Sequence, residues 1–342
     1  MSRASRARRV VTAAAFGTGS LGALSAAAAG VIWGETKLAR RRIQPAETDP
    51  PRADGVWTAP GVPADEPPLL LAMLGDSSAA GYGVHTDAET PGAQMALGLS
   101  ALAQRPVRLR NVAVVGAQSS TLGRQVELVL TERADLVVIM IGANDVTHRV
   151  RASESVRHLT AALTTLAEHD LAVVVGTCPD LGTVRPIAQP LRWLARRLSR
   201  TLAASQAVAV VAAGGRAVSL GDILGPEFES SRDYFSEDQF HPSALGYARA
   251  AEVLLPSAAA ALGLSTVSEA PAPFTSTRAR PLAKAAARAA GLPGTEVAPA
   301  QVHGESTGRR GPWARLIRRR AATVIPPTSG GEESFTPATM VD

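Results

Sequence analysis

Cysteine is almost absent from this chain. Cys178 is the only one in 342 residues, so no intrachain disulfide is available to hold the fold. It follows an apolar run, in VVVGTCPD, with no basic neighbour to lower its pKa, and it reads as a buried structural thiol. Aromatic residues are scarce too, at 4%. The core must therefore come from Ala, Val and Leu, which suits helices packed on a sheet. There is no internal repeat, no metal-ligand spacing and no phosphate-cradling glycine loop, so neither metal nor cofactor is implied. The formal charge of +5 is modest but unevenly placed, with arginines crowding residues 3–42 and 278–320. That pattern suits basic extensions near an anionic surface, not a basic globule, and no nucleic-acid partner is expected.

What is present falls into four segments. Residues 1–44 carry Arg3, Arg6, Arg8 and Arg9, and then Val10 to Trp33 runs 24 residues without a charge. Such a run is long enough to span a bilayer as a helix. Its alanines, with Gly17, Thr18, Gly19 and Ser20, also fit a cleavable signal peptide ending near Ala26 to Ala29. Arg8-Arg9 hints at a twin-arginine signal, although the residues after the pair fit it poorly. Lys37, Arg40, Arg41 and Arg42 follow the run, so positive charge flanks both sides and does not fix the orientation. Residues 10–33 are expected to direct membrane association or secretion, placing the protein at the cell envelope. Residues 45–68, rich in Pro, Ala, Asp and Glu, read as a linker.

The domain, residues 69–266, alternates strand and helix patterns. The strands expected are Leu69 to Leu74, Val107 to Val115, Leu136 to Ile141, Leu171 to Gly176 and Ala207 to Val211. Helices are expected over Pro91 to Ala103, Leu122 to Leu130, Ser153 to Glu168, Leu191 to Ala204 and Ser243 to Leu262, the last capped by Ser243. Alternation of this kind gives an α/β fold, a three-layer α/β/α sandwich on a five-stranded parallel, flavodoxin-like sheet. Residues 267–342 lose periodicity and read as a disordered basic tail, except that Trp313 to Val324 has the pattern of a short amphipathic helix for a membrane surface.

The organising stretch is LLLAMLGDSSAAGYG, Leu69 to Gly83. An apolar strand breaks into Gly75, Asp76, Ser77 and Ser78, placing a serine at the carboxyl end of a strand, where α/β sheets bind small molecules. Gly-Asp-Ser alone is also ordinary turn and cap chemistry. Downstream lie NVAVVGAQSS with Gly116, VIMIGAND with Gly142, Asn144 and Asp145, and DQFHPSALGY with Asp238 and His241. Four such blocks, in this order over about Leu69 to Leu262, resemble the signature blocks of the SGNH (GDSL-type) hydrolases, a serine esterase and lipase family.

A serine hydroxyl needs a base, a group that orients the base, and donors for the developing oxyanion. His241 is the candidate base, with Pro242 fixing the backbone beyond it. Asp238, three residues earlier, can reach the other imidazole nitrogen. His85, His148, His158, His169 and His303 lack such a setting and are read as solvent-facing. The resemblance implies that the nucleophile is Ser77 and not Ser78. It also implies an oxyanion hole made by the N–H groups of Ser77 and Gly116 and the amide of Asn144. Asp76 and Asp145 are assigned to holding the turn and the Asn144 loop through backbone N–H groups. Carboxylic ester hydrolysis through an acyl-enzyme on Ser77 is the function expected, on an ester that is a lipid or an acylated glycan. Carbohydrate O-deacetylation, thioester hydrolysis and acyl transfer use the same residues, and a non-catalytic flavodoxin-like envelope domain is the alternative of a different class. Specificity would reside in loops such as Tyr82 to Thr90 and Cys178 to Pro190.

Overall fold

The structure, a computed structural model, describes residues 30–39, 41, 43 and 49–264, with the backbone of residues 301–302 and 305–306. Most of the uncharged N-terminal run and the segment from Trp313 to Val324 lie outside the described residues. Among those described, no helix is long and apolar enough to cross a membrane.

Six strands form the main sheet: β1 (Gly55–Trp57), β2 (Leu69–Gly75), β3 (Val107–Asn111), β4 (Leu136–Met140), β5 (Ala172–Gly176) and β6 (Arg216–Val218). Their order is β1-β3-β2-β4-β5-β6. Five strands run parallel, and β1 pairs antiparallel with β3, Val56 opposite Arg108. Successive connections leave β2 first towards β3 and then towards β4, so the strand order reverses at the carboxyl end of β2. That crevice is where an open α/β sheet binds its ligands.

The helices are α1 (Ser77–Ala80), α2 (Pro91–Ala103), α3 (Leu122–Leu130), α4 (Ala143–Thr147), α5 (Ala152–Glu168), α6 (Leu191–Ala212), α7 (Leu220–Ser230) and α8 (Ala244–Ala261). Alternation along the strands divides the core. Ala72, Leu74, Val137, Ile139, Val173 and Val175 face Leu122, Leu159, Leu163 and Val210 of α3, α5 and α6. Leu71, Met73, Leu136, Val138 and Val174 face Met95, Leu99, Leu254 and Ala258 of α2 and α8. The result is the three-layer sandwich. Helix starts follow local chemistry: Thr90 accepts from Ala93 N–H ahead of Pro91 at the first turn of α2, and Ser243 accepts from Gly246 N–H at the start of α8.

Three expectations change. Ala207 to Val211 is not a strand but the end of α6, where Ala207 and Val210 bury at helical spacing against the sheet. The sixth strand follows after Gly214 (φ +82) and is only three residues long. β3 stops at Asn111, whose side-chain oxygen accepts from Ala113 N–H at 3.0 Å and turns the chain, leaving Val114 and Val115 exposed. The segment read as a linker carries β1, held by Ala53 and Ala59, both buried, and by Asn111 N–H donating to Asp54 Oδ1 at 2.6 Å.

Candidate active site

Gly75 ends β2 with φ +136, and a Cβ there would lie 1.8 Å from Met140 O, so only glycine fits. Gln125 of α3 clamps the same peptide: Gly75 N–H donates to its Oε1 at 2.7 Å, and its Nε2 donates to Gly75 O at 2.9 Å. Asp76 N–H donates to Met140 O at 3.0 Å, and the Asp76 carboxylate caps α1 by accepting from Ser78 N–H at 2.9 Å. Ser77 is thereby held, buried, at the first position of α1.

The partner comes from residues 231–242, between α7 and α8. His241 Nε2 lies 2.9 Å from Ser77 Oγ, and His241 Nδ1 lies 2.5 Å from Asp238 Oδ2. The other Asp238 oxygen accepts from Ser236 Oγ at 2.7 Å, Phe240 N–H at 2.8 Å and His241 N–H at 2.9 Å. Burial pushes the Asp238 carboxyl up, but the His241 hydrogen bond and charge, with the donors from Phe240 and Ser236, outweigh it and hold it below the ordinary carboxylate range. An ionised carboxylate only accepts, so Nδ1 carries the proton and Nε2 is left to accept from Ser77. Tyr82 and Phe240 stand edge-on to the imidazole, with centroids at 4.6 and 4.9 Å. Tyr247, fully buried, donates to Tyr82 O at 2.8 Å and fixes that wall.

Gly116 and Asn144 follow β3 and β4 at the same end of the sheet. Gly116 sits in an exposed turn with φ +79, braced by Val114 N–H donating to Gly75 O at 3.1 Å. Asn144 opens α4. Asp145, buried beside it, ties this loop to the Gly116 loop by accepting from Ser119 N–H and Oγ, at 3.2 and 2.9 Å, and from Ser155 Oγ at 3.0 Å. Asp76 is perturbed in the opposite direction to Asp238: burial raises it from 3.8 to about 6, against the lowering effects of the Ser78 and Gly142 N–H groups and of His241. Cys178 is buried and free, its N–H donating to Gln206 Oε1 at 2.8 Å, while Gln206 Nε2 donates to Ile141 O at 3.0 Å. Among the described residues no group of His, Cys, Asp or Glu is arranged to hold a metal.

Ser77, Asp238 and His241 thus meet, while Gly116 and Asn144 follow strands that end on the same side of the sheet. His85, His148 and His169 are exposed as expected, His158 is half-buried on α5 and not solvent-facing, and His303 lies outside the described residues. Gln125, Gln206, Ser236 and Phe240 are the contributors that sequence reasoning missed, and Tyr82, read only as the start of a specificity loop, stands against the imidazole. The glutamines had a signal: each falls on the apolar stripe of its helix, Gln125 between Leu122 and Val129, and Gln206 between Leu202 and Val210. A cavity of about 80 Å³ opens beside His241, walled by Leu181, Val184, Leu224, Phe228 and Phe240.

Residues 73–249 match the model of the GDSL-like lipase/acylhydrolase family, a span that includes every residue named in the crevice. The chain is 41% identical over 250 residues to the GDSL-like esterase Rv1075c of Mycobacterium tuberculosis, covering 70% of this chain and 78% of that one. A lipase/acylhydrolase from Enterococcus faecalis superimposes with a TM-score of 0.43 at 18% identity, over 55% of this chain and 93% of that one. A member of the lipolytic G-D-S-L family from Veillonella parvula gives 0.43 at 17% identity, over 54% and 94%.

Proposed function

The chain belongs to the GDSL-like lipase/acylhydrolase (SGNH) family, whose members hydrolyse esters, and from that premise we propose that it is a serine hydrolase cleaving carboxylic esters through an acyl-enzyme on Ser77. The carrying observation is the continuous chain from Ser77 Oγ to His241 Nε2, 2.9 Å, and from His241 Nδ1 to Asp238, 2.5 Å. His241 takes the hydroxyl proton as Ser77 attacks the carbonyl, and Asp238 stabilises the imidazolium that forms. The tetrahedral oxyanion is received by the N–H groups of Ser77 and Gly116 and the amide of Asn144. Each such donor is typically worth about 2.7–4 kcal/mol in the transition state. His241 then returns its proton to the leaving alcohol, and a water activated by the same imidazole releases the acid. The apolar walls of the cavity beside His241 suit the acyl portion.

Labelling with a fluorophosphonate probe tests this reading. The wild-type protein is expected to label and Ser77→Ala to remain unlabelled while folded. A folded Ser77→Ala protein that still labels, or still turns over an aryl acetate at the wild-type rate, refutes it. We also place the enzyme at the cell envelope, on the strength of the uncharged run in residues 10–33. Full-length protein is expected with membranes or outside the cell, and recovery in the soluble cytoplasmic fraction counts against it.

A further inference from the structure

Helix α6 begins against its own electrostatics. The amino end of a helix favours acidic side chains, yet α6 has no acidic residue in its first turn and carries Arg192, Arg196, Arg197 and Arg200 near that end. The carboxylate that its free N–H groups need is supplied from elsewhere: Leu191 N–H donates to Glu35 Oε2 at 2.9 Å, from helical residues 30–39. That contact fastens the two helices together. Ala39 buries in one cluster with Ala195, and the same cluster includes Ala143, beside Asn144, and Phe240, beside His241. The helix pair therefore packs on the same apolar cluster as residues adjoining Asn144 and His241.

The outward face of this pair has an unusual composition. Trp33 is 61% exposed and Trp193 56%, and Val31, Leu38 and Leu198 of the same two helices are exposed as well. Each indole carries a cation one turn on: Lys37 Nζ lies 3.9 Å from the Trp33 ring, and the Arg197 guanidinium carbon 5.7 Å from the Trp193 ring. Arg196 and Arg200 are paired with Asp180, and Arg192 bonds to carbonyls of Arg185 and Ile187. Arg197 has no carboxylate partner among the described residues. Exposed indoles with lysine and arginine are the composition of a membrane–water interface, where the ring sits at headgroup depth and the cation meets anionic lipid. Residues 10–29, without a charge, lead directly into this helix.

We propose that the outward faces of residues 30–39 and of the first turns of α6 form a docking surface for an anionic lipid bilayer. The surface stands independently of the reaction assigned above. If that assignment holds, it also brings the mouth of the site close to the headgroups and makes a lipid-borne ester the substrate.

Trp193 provides the test, because it lies far along the chain from the uncharged run. Full-length protein is mixed with vesicles of phosphatidylcholine, with or without phosphatidylglycerol, containing acyl chains brominated near the headgroup. Tryptophan emission is expected to quench on the anionic vesicles, and Trp193→Phe should lose a distinct part of that quenching. Lys37→Gln and Arg197→Gln should each weaken vesicle binding roughly fivefold at low salt. Turnover of a soluble short-chain ester should be unchanged in all three variants, which separates a failure of the surface from a failure of the hydrolase reading. Identical quenching in Trp193→Phe and wild type overturns the proposal, as does equal binding to neutral and anionic vesicles. So does a concentration-dependent dimer that Trp193→Phe dissolves, since the face would then belong to a second copy.

Discussion

Gln125 is the most informative residue to change, because it touches no reacting atom yet holds the peptide two residues before Ser77. Gln125→Leu keeps nearly the same volume in a site that is 2% exposed, so the loss is one of hydrogen bonds and not of packing. Gly75 C=O keeps a second donor, Val114 N–H at 3.1 Å, whereas Gly75 N–H loses the only acceptor it has among the described residues. One orphaned buried N–H costs about 1–3 kcal/mol. For a domain of this size that is a fall in melting temperature of about 2–12 °C. Activity should fall by more than stability does, because a shift of about 1 Å in a reacting group can cost on the order of 100-fold. Gln125→Glu sharpens the test. Its protonated carboxyl can accept from Gly75 N–H and donate to Gly75 C=O, while its ionised form is buried without a counter-charge. Its folded-state pKa is thus raised, and its stability should approach wild type in acid and decline as pH rises. Thermal melts at several pH values, with kcat/KM on a soluble aryl ester, check both variants. A Gln125→Leu protein melting within about 1 °C of wild type with normal turnover would refute the clamp.

Asp238→Asn should lower kcat by as much as about 10⁴-fold, the figure for the same change in a Ser-His-Asp triad, and His241→Ala by at least as much; steady-state kinetics on one ester distinguish them from a merely structural pair, which would leave kcat intact. Asp76 makes a prediction about stability. Its carboxyl rises from 3.8 to about 6 on folding, so the folded state binds more protons than the unfolded state between those values. Its contribution is therefore full below about pH 3.8 and is lost as pH climbs to about 6, a change of about 3 kcal/mol. Asp76→Asn retains an acceptor for Ser78 N–H and should remove that slope, so urea midpoints of wild type and variant, compared from pH 4 to 7, are expected to converge in acid and diverge in the variant's favour towards neutrality. Parallel curves would contradict it.

The parts of the fold that sequence made visible are those with strong local signals. α2 and α3 are bounded where periodicity, Thr90 and Pro91 place them, and β2, β4 and β5 are continuous apolar runs because both faces of the sheet are covered. Ala207 to Val211 misled because β-branched residues on a buried helix face look like a strand when read alone, while Arg216–Val218 is too short to announce itself. β1 was hidden by proline and alanine around it; its pairing with β3 is a tertiary fact. Within the site, Asp238 and His241 were legible because three residues of one loop join them. Ser236 and Phe240, which complete the same carboxylate, appear only once the loop is folded. The glutamine clamps required knowing which strand ends lie beneath α3 and α6.

The separation along the chain of the groups proposed to be catalytic has its own consequence. Asp238 and His241 are three residues apart and share a carboxylate that also binds two main-chain N–H groups of their loop. Ser77 is 164 residues away, fixed to a different strand end. Asp238 and His241 are thus held to each other within one loop. Disturbance that displaces this loop as a whole reaches the proposed proton transfer through the gap between Ser77 Oγ and His241 Nε2, 2.9 Å. Remote substitutions that shift α8 should accordingly change the rate while leaving the hydrogen bonds around Asp238 and His241 in place, so the enzyme's speed can drift without its mechanism drifting with it.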